Sequence, residues 1–205
     1  MSGKLTPDQS LTQLRRGNER YVAGWPDHPN QSARRRREVS ESGQQPFAII
    51  LSCADSRVPP EIIFDQGLGD LFIIRVAGNV LDDIILGTIE YAVEHLHVPV
   101  IMVLGHDKCG AITAAVQGVG VRNHIQSLAE ALRPAVEIAR GQEGDVISNT
   151  IDANVHQSVV TLQASEPVLA QARSAGQIQI VGARYNLDTG EVKIIPLAIR
   201  SEATP

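Results

Sequence analysis

Phe47-Ala48-Ile49-Ile50-Leu51-Ser52 is apolar without alternation, and this constrains what the chain can fold into more than any other feature. A half-exposed strand alternates between core and water, so a strand-length run with no polar face belongs to a sheet covered on both sides. Similar runs recur at Phe72 to Ala77, Val98 to Leu104, Ile178 to Ala183 and, after the turn Asp188-Thr189-Gly190, Val192 to Ile199. Helix-period patterns separate them at Leu81 to Leu96, Ala111 to Val116, Ile125 to Arg140, Ile151 to Ala164 and Pro167 to Ala175. This alternation predicts the α/β class, with a mainly parallel central β-sheet flanked by helices. The last strand follows a short turn and is expected to pair antiparallel at an edge.

Ahead of the first run, Thr6 to Val22 carries Leu11, Leu14 and Tyr21 at roughly helical spacing and reads as an amphipathic helix, broken by Gly24-Trp25-Pro26. Asp27 to Gly43 reads as a second helix or as an arm reaching over a neighbour. A length of 205 residues suits one hydrophobic core. The expectation is therefore a single domain over 1–205, divided into an N-terminal helical arm (1–45) and an α/β core (46–200).

A net charge of -5 argues against a nucleic-acid partner. The one basic run, Arg34-Arg35-Arg36-Arg37, has no interleaved aromatics and is followed by Glu38 and Glu41, so it reads as a solvated helix face or a subunit contact. No stretch approaches the ~20 apolar residues that cross a bilayer, and Met1 to Ser10 has no signal-like apolar core, so no membrane association and a cytoplasmic location are expected. The two cysteines do not form the dense pattern of a secreted disulfide scaffold. A Cys53 to Cys109 disulfide would leave the nearby His106 unexplained.

Both cysteines lie just after apolar runs, in Cys53-Ala54-Asp55-Ser56-Arg57 and Gly105-His106-Asp107-Lys108-Cys109-Gly110. Ligands of such sheets bind beyond the carboxyl ends of the strands, so the two motifs can meet at one crevice. Two thiolates and an imidazole suit zinc and leave one tetrahedral position for water, which the metal makes nucleophilic near neutral pH. Asp55 is close enough to Cys53 either to accept a hydrogen bond from that water or to ligate the metal in a closed form. Arg57 is placed to hold the carboxylate in a fork and keep it ionised.

These residues resemble the β-class carbonic anhydrases of bacterial type. The likeness is carried by Cys53 to Glu61, by Gly67 to Asn79 with Arg75-Val76-Ala77-Gly78-Asn79, by Gly87 to Val93 and by Gly105 to Ala111. It runs from about Leu11 to Ile199. It implies reversible hydration of carbon dioxide to bicarbonate and a proton, with one zinc per subunit on Cys53, His106 and Cys109 and an Asp55–Arg57 dyad beside it. It further implies that Gln44, Phe72, Ala77, Tyr91 and Gly110 contact substrate, several from an adjoining subunit of a homodimer or homotetramer whose active site lies near the interface.

Two departures stand out. Members that close their site through a noncatalytic bicarbonate pocket place a tryptophan three residues before the first zinc cysteine, whereas this chain has Ile50; Arg75 matches the arginine of that pocket. The expectation is an open site clamped by Arg57. Asp107-Lys108 stands where small or hydroxylic residues are commoner, and reads either as salt-bridged or as a solvated pair at the rim. His95, His97 and His124 are chemically competent proton shuttles but read as ordinary surface histidines. Rival readings are a zinc hydrolase of carbonyl sulfide or carbon disulfide, a structural zinc protein, and a nucleotide-binding module hinted at by Gly67-Leu68-Gly69.

Overall fold

A computed structural model of the chain describes residues 4–196. Five strands form one sheet: β1 (Ala48–Ser52), β2 (Leu71–Arg75), β3 (Val100–His106), β4 (Gln179–Tyr185) and β5 (Val192–Ile194). Their order is β2-β1-β3-β4-β5, parallel throughout except for the antiparallel β4–β5 pair at one edge. The helices are α1 (Pro7–Val22), α2 (Ala33–Ser42), α3 (Pro60–Ile63), α4 (Asp83–Leu96), α5 (Gly110–Gln117), α6 (Ile125–Arg140), α7 (Val146–Ala164) and α8 (Val168–Ser174), with a 3₁₀ turn at Ala77–Asn79.

Every residue of β1 and β3 is buried, as strands covered on both faces require. Successive side chains point to opposite faces of the sheet. Ile49, Leu51, Ile101 and Val103 join α4, α7 and α8 in one apolar layer, while Ala48, Ile50, Met102 and Leu104 join Leu14 of α1 and Phe64, just past α3, in the other. α7 lies tight against the sheet because Gly105 and Gly182 face it. A Cβ at either position would stand 2.7 or 2.6 Å from Val155.

α1 begins with a capping box, in which the Gln9 amide donates to Thr6 Oγ1 and the Thr6 amide donates to Gln9 Oε1. Its packed face carries Asn18, whose side chain donates to the carbonyls of Ile63 and Gly190 and accepts from the Val192 amide. The segment after it is pinned by buried Asp65, which accepts from the amides of Asp27 and His28 and from Arg20.

Several elements differ from the sequence expectation. The run at Phe72 to Ala77 reads like the first, but β2 is an edge strand in which only Ile74 is buried, because it has a neighbour on one side alone. α7 begins at Val146, where Asp145 caps it by accepting from the Ser148 amide, ahead of the expected Ile151. α3 is too short to leave a periodic signal. Of the strand expected over Val192 to Ile199, β5 accounts for Val192–Ile194, and 197–199 lie outside the described residues. Gly67-Leu68-Gly69 precedes β2 instead of following a strand, which removes the geometry of a phosphate-binding turn. Among the described residues no helix is long and apolar enough to cross a membrane.

Candidate metal centre

Cys53 follows the last residue of β1, His106 ends β3, and Cys109 caps α5. Because β1 and β3 are adjacent and parallel, their carboxyl ends deliver the two motifs to one place. The three side chains are buried, and their ligand atoms all lie within 4.8 Å of one another. Val80, Ile112, Leu132 and Ile151 form an apolar shell around the sulfurs.

The donor set fits zinc. The sulfurs are 4.0 Å apart, far from a disulfide and close to the roughly 3.8 Å that two Zn–S bonds of about 2.3 Å subtend at a tetrahedral angle. His106 Nδ1 is 2.8 Å from the Asp107 carbonyl, and its Nε2 is buried with no hydrogen-bond partner. A carbonyl only accepts, so Nδ1 carries the proton and Nε2 presents a lone pair. A buried acceptor without a partner beside two thiols fits the role of a metal-ligand atom.

The two thiols shape each other's ionisation. The Cys109 thiol donates to Cys53 and, with lesser help from the amides of Asp55 and Gly78, outweighs burial and pulls the Cys53 thiol well below the ordinary thiol range. Cys109 is pushed well above the ordinary thiol range, first by that same bond to Cys53 and then by burial. Two buried thiolates at this distance would need a cation between them, and a metal held by both sulfurs would displace the remaining proton.

Asp55 lies outside the cluster. Arg57 Nε and Nη2 donate to its two carboxylate oxygens at 2.9 and 2.7 Å, and the Arg57 amide adds a third bond at 2.9 Å. The Arg57 side chain is the main reason the Asp55 carboxyl sits well below the usual carboxylate range. Arg57 Nη2 also donates to the Lys108 carbonyl at 3.2 Å, joining the two motifs. Arg75 braces the first motif from below, donating to the carbonyls of Cys53 at 3.0 Å and Asp55 at 2.6 Å.

The resemblance assigned five further residues to substrate. Ala77 opens the 3₁₀ turn, whose Gly78 amide donates to Cys53 Sγ at 3.3 Å, and Gly110 is the first residue of α5, next to Cys109. The other three stand on separate elements. Gln44 is exposed between α2 and β1, Tyr91 is exposed on α4 with its ring 5.0 Å from that of His95, and Phe72 packs against the apolar layer under α4. His95, His97 and His124 are all exposed. Asp107 and Lys108 are both salt-bridged, to Arg184 and Asp188 respectively. The apolar shell and Arg184 went unnamed at the sequence level. Only the period of α5, α6 and α7 hinted that Ile112, Leu132 and Ile151 face inward.

Residues 48–192 match the carbonic anhydrase family profile. Carbonic anhydrase 2 of Mycobacterium tuberculosis is 44% identical over 188 residues, covering 90% of this chain and 90% of that protein. A carbonic anhydrase of Mycolicibacterium smegmatis is 40% identical over 192 residues, covering 92% and 93%. Among solved structures, the β-carbonic anhydrase CcaA is 27% identical and superposes with a TM-score of 0.71 over 91% of this chain and 95% of that one. With the profile spanning most of the chain and these relatives nearly all of it, the chain belongs to the β-carbonic anhydrase family.

Proposed function

We propose that the protein catalyses the reversible hydration of carbon dioxide to bicarbonate and a proton, with one zinc ion per protomer held by Cys53, His106 and Cys109. The observation that carries this reading is a buried set of three soft donors with the Asp55 carboxylate beside its first motif, held at both oxygens by Arg57. When bound there, zinc supplies a Lewis acid that makes water a nucleophile at neutral pH and offsets charge developing on oxygen.

The chain's own groups do the rest. Asp55, kept ionised by Arg57, accepts a hydrogen bond from the attacking water and fixes its direction. The Gly110 amide stands at the amino end of α5, where helix donors lack intrahelical partners, and supplies a donor to substrate oxygen. Ala77 with the apolar shell excludes bulk water. Gln44, Phe72 and Tyr91 complete the pocket from an adjoining protomer, so the active unit is a homodimer or a larger assembly. The exposure of Gln44 and Tyr91 on the protomer supports this arrangement.

The reading takes 1–205 as a single domain, with 1–45 as a helical arm on the 46–200 core, and places the protein in the cytoplasm. Zinc content and stopped-flow carbon dioxide hydration measured on one sample test it. The expected result is one zinc per protomer with rapid hydration. Zinc without hydration would leave a structural metal protein, and preferential turnover of carbonyl sulfide or carbon disulfide would reassign the substrate.

A further inference from the structure

Between β3 and Cys109, the cap of α5, the turn consists of Asp107 and Lys108, whose backbone and side chains serve different partners. Inward, the Asp107 carbonyl takes the His106 Nδ1 proton at 2.8 Å. Outward, the Asp107 carboxylate receives Nε and Nη2 of Arg184, both at 2.6 Å. Arg184 is anchored in turn on α7, where Nη1 donates to Ser148 Oγ at 3.0 Å, the Ser148 carbonyl at 3.3 Å and Asp152 Oδ1 at 3.1 Å.

Lys108 adopts φ +53, a left-handed value that costs a residue with a side chain. A flip of the Asp107–Lys108 peptide is therefore an accessible way to relax the turn. It would swing the Asp107 carbonyl away from His106 and free the ring to rotate or change tautomer. Contacts on both flanking residues oppose it: the Asp107 amide on the Tyr185 carbonyl at 3.0 Å, the ion pair of Asp107 to Arg184, Arg57 on the Lys108 carbonyl at 3.2 Å, and the Lys108–Asp188 pair. Of the two ion pairs the one to Arg184 is the stiffer, because its side chains are only 24% and 18% exposed, whereas those of Lys108 and Asp188 are 60% and 68% exposed.

We propose that Arg184 is a positioning residue for the metal site, acting through Asp107 to lock the tautomer and orientation of His106. The inference rests on the zinc reading above. It assigns to an arginine 77 residues away in sequence a role that neither zinc motif contains.

The test compares Arg184→Gln, Arg184→Lys, Asp107→Asn, their Gln/Asn double variant and the exposed-pair control Asp188→Asn, each loaded with zinc and challenged by a chelator. Outer partners of metal-ligating histidines are worth about 10–100-fold in metal affinity. Accordingly R184Q and D107N are expected to release zinc at least about tenfold faster than wild type, the double variant no faster than either single one, and R184K to recover part of the loss. The cobalt-substituted R184Q and D107N proteins are expected to share one shift in their d–d bands, with D188N unshifted. Additive effects of R184Q and D107N, wild-type release by both, or an equal effect of D188N would overturn the proposal. If R184Q does not fold, D107N and R184K still decide it through release rate and spectrum. Wild-type protein that binds no zinc would instead overturn the zinc reading itself.

Discussion

Arg57 grips Asp55 by both carboxylate oxygens while also holding the Lys108 carbonyl, so the residue that restrains the carboxylate also ties together the two loops that carry the metal ligands. Removing the carboxylate in Asp55→Asn is expected to lower kcat for carbon dioxide hydration by about 100-fold or more, the usual scale for losing a positioned proton acceptor. Arg57→Gln is expected to cost about 10–100-fold, as loss of an outer support does, and to add little to D55N. Stopped-flow rates of the three proteins check this; wild-type turnover by R57Q would remove the dyad from the mechanism.

Metal-free protein at pH 7 is expected to hold one thiolate and one thiol, since the bond between the two sulfurs draws Cys53 below the ordinary thiol range and pushes Cys109 above it. Zinc binding should then release about one proton per site instead of two. Calorimetric zinc titrations in buffers of different ionisation enthalpy count that proton directly, and a count of two would show that the sulfurs do not share one.

Asp65 sets an acid limit on the fold. Burial opposes its charge, but the amides of Asp27 and His28 and the Arg20 guanidinium outweigh it, so the carboxyl titrates below its unfolded value of about 3.9. The unfolded chain therefore binds more protons in that window. The contribution is fully present above about pH 4 and is lost as pH falls through the lower folded value. Asp65→Asn is expected to lose about 2 kcal/mol at pH 7, the scale of hydrogen bonds to a charged group, and to show a flatter acid limb in urea melts between pH 7 and pH 3.

Asn18 is nearly buried, and its three hydrogen bonds tie α1 to the end of α3 and to the β4–β5 hairpin. Asn18→Ala leaves two carbonyls and an amide unpaired, so a loss of about 3 kcal/mol in urea unfolding is expected. A loss below about 1 kcal/mol, the worth of a single ordinary hydrogen bond, would mean that water replaces the side chain.

The strands and the clustering of Cys53, His106 and Cys109 were legible because each rests on local pattern: unbroken apolar runs for β1 and β3, and a dense motif at the end of each. The edge position of β2 was not, because strand order is a tertiary fact and Phe72-Ile73-Ile74 looks as apolar as Ile49-Ile50-Leu51. α3 spans four residues, fewer than a period can reveal. The salt bridges of Asp107 and Lys108 were anticipated as one of two readings, but their partners lie 77 and 80 residues away, where spacing carries no information.

Gly105 and Gly182 let α7 settle onto the sheet, and from the same helix Asn154 reaches the Gly78 carbonyl at 3.0 Å. Gly78, at φ +72, turns its own amide onto Cys53 Sγ. Two methyl groups missing from the interior thus act as a gauge block for a sulfur atom. Thickening the layer by one carbon would be felt as a change in the electron density available to the metal.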